Sequence, residues 1–547
     1  MNISEVLNFV RLVIRAQTRP GSPGKNIYLP PRSIQILTYR PATKSIMSLL
    51  ESLPPELIDT ICGYCELRRI KSLRLTCRYL KGIADSHLLD IVHILLAESS
   101  IQTAEYIADH TGLRKGPHTL YLGWDSSTPI PFLEWSLNRV RQDYQQRFTF
   151  GDSTYSNSRE RRKVVPATIR RLYKELSHLA PLLERRETQS HGDRKALSII
   201  SQIDAASGIS PEDIQARYRD HVSLAEEVRL MMAPGKLRQR LRHVFQKCRS
   251  LNSIILRVGG GVWENPQQPY VDAPRYQAFD KGLLLPSDVD RSQCGSGVAS
   301  MVELVHAASD AAFSPKNLWL GWVSHRLLME DEIKEELALF MKKVEILNWV
   351  FGSPIDVDGQ RIDDQNLLKL NFEKGAFLRF IANAENLAHL YLELPEEDCH
   401  RRRANLKDML GGLTFPKLTV FEVDTINAES RHLSNFLLRH TATLESLRLA
   451  AIDLVEGDWQ SFFESIAGRM KKLRSVELRE SLACLGEDWY HAGLRDGLRD
   501  RGYCVQLEEY LLMGGEFPEM PVPEDETEEE EHTWSPVSEL GNEIDAE

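Results

Sequence analysis

Glu332-Ile-Lys-Glu-Glu-Leu-Ala-Leu-Phe-Met-Lys342, followed after one residue by Val344-Glu-Ile-Leu-Asn-Trp349, is the stretch on which the fold turns. Its first part carries apolar residues at helical spacing, and its second is a short apolar run of strand length. The same order recurs. Arg238 to Cys248 reads as a helix before the strand Leu251 to Val258, and Val298 to Ala308 precedes Leu318-Trp-Leu320. Further strands are expected at Leu368–Phe372, Leu387–Leu392, Leu418–Val423, Leu444–Leu449 and Leu473–Leu478. A last helix near Trp489–Arg499 and a strand at Cys504-Val-Gln-Leu507 would close the series.

One helix–strand unit cannot bury its own apolar face, so neighbours must stack into a common core with the strands parallel. Taking Leu370, Leu392, Val423, Leu449 and Leu478 as equivalent gives spacings of 22, 31, 26 and 29 residues. Such periods fit, or slightly exceed, those of leucine-rich repeats. The expected class is therefore α/β, with a degenerate leucine-rich-repeat-like solenoid over residues 236–512.

Working outward, residues 53–80 form a second informative stretch. Leu53-Pro54-Pro55 opens it, with Pro55 where a first-turn proline belongs. Leu57, Ile58 and Ile61, then Leu67, Ile70, Leu73 and Leu80, recur at helical spacing. Two or three short helices with that much apolar surface need a partner or a neighbouring domain to cover it.

This stretch resembles the F-box, the adaptor-binding module of Skp–cullin–F-box ubiquitin ligases. The residues that carry the resemblance are Leu53-Pro54, Glu56, Leu57, Ile58, Ile61, Ile70, Leu73, Cys77 and Arg78. It departs from the family pattern at Cys65, Thr76 and Leu80. The resemblance implies an all-helical module over residues 47–95. It also implies a Skp-type adaptor, and through it a cullin, held by Leu53, Pro54, Leu57, Ile61, Ile70, Leu73, Cys77 and Leu80. Leucine-rich-repeat-like regions accompany F-boxes in many proteins, fungal ones included, and the repeats resemble those. Residues 96–235 are expected to be a helical linker. In it, Ile169, Leu172, Tyr173, Leu176, Leu179, Leu182 and Leu183 place an apolar stripe on one packing helix.

The composition is that of a globular chain with ample core: 547 residues, 42% hydrophobic and 27% charged. No 18-residue apolar run predicts a membrane span. Eight scattered cysteines favour a reducing compartment, cytoplasm or nucleus. The net charge of −11 is uneven, because residues 503–547 hold 15 acids and no Lys or Arg, which leaves residues 1–502 at +4. Glu524–Glu531 has seven acids in eight positions, so residues 513–547 are expected to be a disordered acidic tail. Residues 1–46 hold seven Lys or Arg against Glu5 alone, a composition that overlaps with a mitochondrial presequence. An F-box works in cytosol and nucleus, so this basic leader is expected to be disordered or to precede a true start at Met47. Peptide mass spectrometry of the mature N-terminus checks this; a cleaved leader with matrix localisation would contradict it.

No catalytic set is expected. Cys62-Gly-Tyr-Cys65 has metal or redox spacing, but no second pair follows and both cysteines fall at apolar helix positions. Gly259-Gly-Gly261 lacks the Gly-Lys-Ser/Thr of a phosphate loop, and Cys294-Gly-Ser-Gly297 is no nucleophile elbow. Cys399-His-Arg-Arg-Arg403 reads as a solvated loop. Trp319, Trp349 and His389 lie at repeat strands and are candidate contacts to a target protein, with packing as the alternative. The expected function is a substrate receptor of a Skp–cullin–F-box ligase, with no covalent chemistry, cofactor, metal, nucleic acid or membrane. The alternative is an interaction scaffold that never joins a ligase.

Overall fold

The structure is a computed structural model that describes residues 53–94, 98–124, 131–133, 135–137, 139–140, 168–169, 171–176, 189–258, 297–352, 364–395, 403–484 and 501–518. The basic leader, nearly all of the acidic tail, Gly259–Gly261, Cys294, Cys399–Arg402 and Trp489–Arg499 lie outside them. Two compact units divide the chain, Met1–Leu418 and Thr419–Glu547.

The first unit begins with helices α1 (Pro55–Gly63), α2 (Leu67–Arg74) and α3 (Arg78–Ala84). After these come β1 (Ile91–Ile94), α4 (Glu98–Asp109), β2 (Thr119–Trp124), α5 (Gln189–Ala206), α6 (Pro211–Met231) and α7 (Lys236–Lys247). Next are β3 (Ser253–Val258), α8 (Val298–Asp310), β4 (Asn317–Ser324), α9 (Lys334–Met341) and β5 (Ile346–Gly352). The unit closes with α10 (Asp364–Glu373), α11 (Ala376–Ile381), β6 (His389–Glu393) and α12 (Leu406–Leu410). Its six strands make five parallel pairings in chain order, from β1 with β2 to β5 with β6. The second unit repeats the scheme with β7 (Val420–Glu429), α13 (Ser430–Arg439), β8 (Ser446–Glu456), α14 (Trp459–Ile466), β9 (Ser475–Cys484) and α15 (Arg501–Met513). Its strands are also parallel and in order.

Parallel neighbours need a crossover, and crossovers are right-handed, so adding each strand to the same edge puts every connecting helix on one face. Burial follows that rule. Leu120, Leu122, Ile254, Leu256, Leu318, Leu320, Leu347, Trp349, Leu390 and Leu392, all of one parity, are sealed against the helices. Those helices touch in succession: Phe245 of α7 stacks on Phe313 just after α8 at 4.5 Å, and His306 of α8 meets Glu336 of α9 at 2.7 Å.

Register is set by one recurring contact. The carbonyl just before a strand accepts two consecutive N–H groups at the start of the next. Asp90 takes His118 and Thr119, Asn252 takes Lys316 and Asn317, Lys316 takes Glu345 and Ile346, and Glu345 takes Ala388 and His389. In the second unit Thr419 and Glu445 do the same. At the bulge in β4, Trp322 adopts φ 57°. Only glycine fits beside it, since a Cβ on Gly352 would lie 2.1 Å from the Trp322 carbonyl oxygen.

This architecture corrects the expected leucine-rich-repeat-like solenoid: each unit is an α/β parallel sheet with interleaved helices of unequal kind. Repeats need connections of near-constant length. Here β2 and β3 are separated by residues 125–252, whereas β7 and β8 are separated only by residues 430–445. The sheet also starts early, because β1 and β2 fall where an all-helical module and a helical linker were expected. Leu368–Phe372 lies in α10 and Cys504–Leu507 in α15, so both expected strands are helical. Leu370, taken as a strand position, is 42% exposed on α10 while Phe372 is buried. In the β2–β3 connection, Ile169, Leu172 and Leu176 do pack, against Ile199, Ile200 and Ile203 of α5.

The helix α15 contacts β9, and the Leu478 N–H donates to Glu508 Oε1 at 3.1 Å. Among the described residues no helix is long and apolar enough to cross a membrane. Trp349 centres the core of the first unit, stacked on Phe351 at 4.3 Å and edge-on to Phe380 at 5.4 Å. Trp349→Ala is expected to lower stability by about 3–5 kcal/mol, read as a reduced denaturation midpoint of the first unit.

Candidate functional site

The helical unit α1–α3 is built locally. Pro54 ends the extended approach, and its carbonyl accepts the Leu57 and Ile58 N–H groups at 3.0 and 3.3 Å. Cys77 caps α3, its Sγ accepting the Leu80 N–H at 3.4 Å. The core is Ile58, Cys62, Ile70, Leu80 and Ala84, with Leu53, Cys65, Leu73 and Cys77 partly buried against it. Tyr79 Oη donates to the Leu53 carbonyl at 3.0 Å, which ties α3 to the chain entering α1.

Asp85, only 2% exposed, joins this unit to the chain around α4. It accepts from Arg74 Nε at 2.7 Å and Lys81 Nζ at 2.9 Å, linking α2 with α3. A Cβ on Gly112, just after α4, would sit 2.9 Å from the Asp85 Cβ, so the backbone there closes on this carboxylate. Burial alone would raise the Asp85 carboxyl, but the hydrogen bonds and charges of Lys81 and Arg74 outweigh it and hold it below the ordinary value. The helices are thus fixed to the start of the first sheet.

Their outer surface mixes charged with large apolar side chains. Leu57 (49%), Tyr64 (72%), Leu67 (48%), Leu75 (85%) and Tyr79 (40%) are five of the thirteen large hydrophobic residues that are exposed among the described residues. Five of thirteen in so short a stretch mark a surface suited to a partner. The structure redistributes the expected adaptor contacts. Ile61, Ile70 and Leu80 turn inward at 7%, 4% and 0% exposure, because three short helices must first build a core of their own. Leu73, Cys77 and Leu53 are half-buried, while Pro54 and Leu57 face out. Tyr64, Leu75 and Tyr79 were missed by reasoning from helical spacing, which ranks residues by periodicity. They sit at helix ends and junctions, outside the periodic stripe.

The expected target contacts separate too. Trp349 is sealed on the helix side, its Nε1 donating to the Val323 carbonyl at 3.0 Å, so it presents nothing to a ligand. Trp319 and His389 have the opposite parity and are half-buried on the other face of the sheet. Trp319 lies in register with Tyr121, Ile255, Asn348 and Tyr391 through successive pairings, and His389 two residues earlier, level with Ile346 and Asn317. His93 and Tyr121 extend the aromatic row, with ring centroids 5.4 Å apart. Arg403 of the expected solvated loop is buried at 8%.

Cys62 is fully buried, and burial, then the neighbouring Cys65 and Asp59, pushes its thiol up to about 12, so it is no nucleophile near neutrality. Among the described residues no group of three His, Cys, Asp or Glu side chains is placed to hold a metal. No protein-family model matches the chain, and no curated protein matches it. The resemblance to the F-box therefore rests on residues 53–80 themselves.

A carboxyl depressed in the folded state stabilises above its unfolded pKa, and that stability is lost as pH falls through the folded value. Thermal melts across an acid series should show wild type losing this contribution on acidification. Asp85→Asn should start lower by about 2 kcal/mol and lack that part of the pH dependence.

Proposed function

We propose that the chain is a substrate-recognition subunit of a Skp–cullin–F-box ubiquitin ligase, working in cytoplasm or nucleus. In this reading α1–α3 dock on a Skp-type adaptor, which joins the chain to a cullin. The face of the first sheet that carries Trp319 and His389 takes a protein target. The chain performs no chemistry itself; it raises the local concentration of target beside the transfer machinery. The observation that carries the reading is the concentration of exposed apolar side chains on a small helical unit that is anchored rigidly to a larger fold. Leu53-Pro54 and the helical series after it supply the resemblance, and Leu57 is the anchor that both sequence and surface nominate.

Leu57 is half-exposed, whereas its neighbour Ile58 is core. Leu57→Ala is expected to weaken adaptor binding by about 2 kcal/mol, roughly thirtyfold, with an unchanged melting temperature. Ile58→Ala should instead lower the melting temperature. Wild-type affinity of the full-length Leu57→Ala chain for a purified Skp-type adaptor, measured by calorimetry, would sink the proposal.

A further inference from the structure

Charge in the helical unit is divided along the chain, with the exposed acids Glu56, Asp59 and Glu66 at and just after α1 and the cations on α2 and α3. From Leu67 to Lys81 the chain carries six Lys or Arg and no acid. Three have an ion-pair partner: Arg69 meets Glu66 at 3.7 Å, and Arg74 and Lys81 share buried Asp85. Arg68, Lys71 and Arg78 are exposed, and among the described residues none of them has an ion-pair partner. Arg68, Lys71 and Leu75 fall at i, i+3 and i+7, so two cations without an ion pair lie on the side of α2 that leads to Leu75, its C-cap and the most exposed leucine among the described residues. Arg78 and Tyr79 continue the mixture at the start of α3.

We infer that the protein surface docking on α2 and α3 is rich in carboxylates, placed opposite Arg68, Lys71 and Arg78 around pockets for Leu75 and Tyr79. This rests on the reading of α1–α3 as an adaptor-docking unit and adds the chemistry of the partner's face. A membrane is the poorer match. Helices that lie on anionic bilayers segregate a charged face from an apolar one, and here the cations Arg68 and Lys71 share one side with Leu75 at the end of an eight-residue helix. Exposed charges of this kind act mainly on the rate of encounter and on its salt dependence, while the apolar anchors govern dissociation.

The test uses the full-length chain, a purified Skp-type adaptor and surface plasmon resonance at low and high salt. The substitutions R68E, K71E and R78E together should slow association about tenfold at low salt and flatten its salt dependence. R68Q, K71Q and R78Q together should fall between, and carry the test should the first set fail to fold. Adaptor binding by both variants at the wild-type on-rate and salt dependence would overturn the inference and leave the proposed function standing. No adaptor binding by wild type would overturn both. Binding of wild type, but not of the variants, to phosphatidylserine vesicles, with adaptor kinetics unaltered, would also overturn it in favour of a lipid surface.

Discussion

A single backbone carbonyl, placed one residue before a strand and accepting two successive N–H groups from the next, recurs through both units and holds the strands level. A slip of one residue would turn every side chain in a strand to the other face. With the register locked, Leu318, Leu320 and Trp349 have no choice but the helix side. Trp319 and His389 have no choice but the other. The uniform hand of the crossovers then decides which face the connecting helices cover.

The helical unit solves a different problem. Three helices of nine, eight and seven residues cannot bury enough to stand alone, and their five-residue core is correspondingly slight. Asp85 answers part of this by drawing two cations inward and by lying against the chain at Gly112. The remaining apolar and cationic side chains are pushed to the surface by the same economy of space. Exposed apolar surface and structural core are therefore cut from one short sequence, with neighbours such as Leu57 and Ile58 facing opposite ways.

Much of this was legible in the chain. The strands beginning near Leu251, Leu318, Val344, Leu387, Leu418, Leu444 and Leu473 all lie where apolar alternation places them. Leu368–Phe372 misled because Leu-x-Leu-x-Phe also suits a helix in which Leu368 and Phe372 face one way, four residues apart. Cys504–Leu507 misled likewise, with Tyr503, Cys504, Leu507 and Leu511 forming a helical stripe. The strands β1 and β2 escaped notice since four to six residues without a following repeat carry little periodicity. At the helical unit, periodicity found the helices but did not separate their inside from their outside. Which of Ile61, Ile70, Leu75 and Tyr79 are buried depends on how three helices cross, and local spacing says nothing of that.

The contact between Glu508 and the Leu478 N–H gives α15 a role beyond packing. An outermost parallel strand offers a row of unpaired backbone donors and acceptors, on which another chain can build a further strand. By contacting β9 and giving its Leu478 N–H a carboxylate acceptor, α15 blunts that edge. A chain cut short before Arg501 would lose that guard together with the buried side chains of Tyr503, Cys504, Leu507 and Leu511. Its failing would be self-association, seen as aggregates with strand-like order.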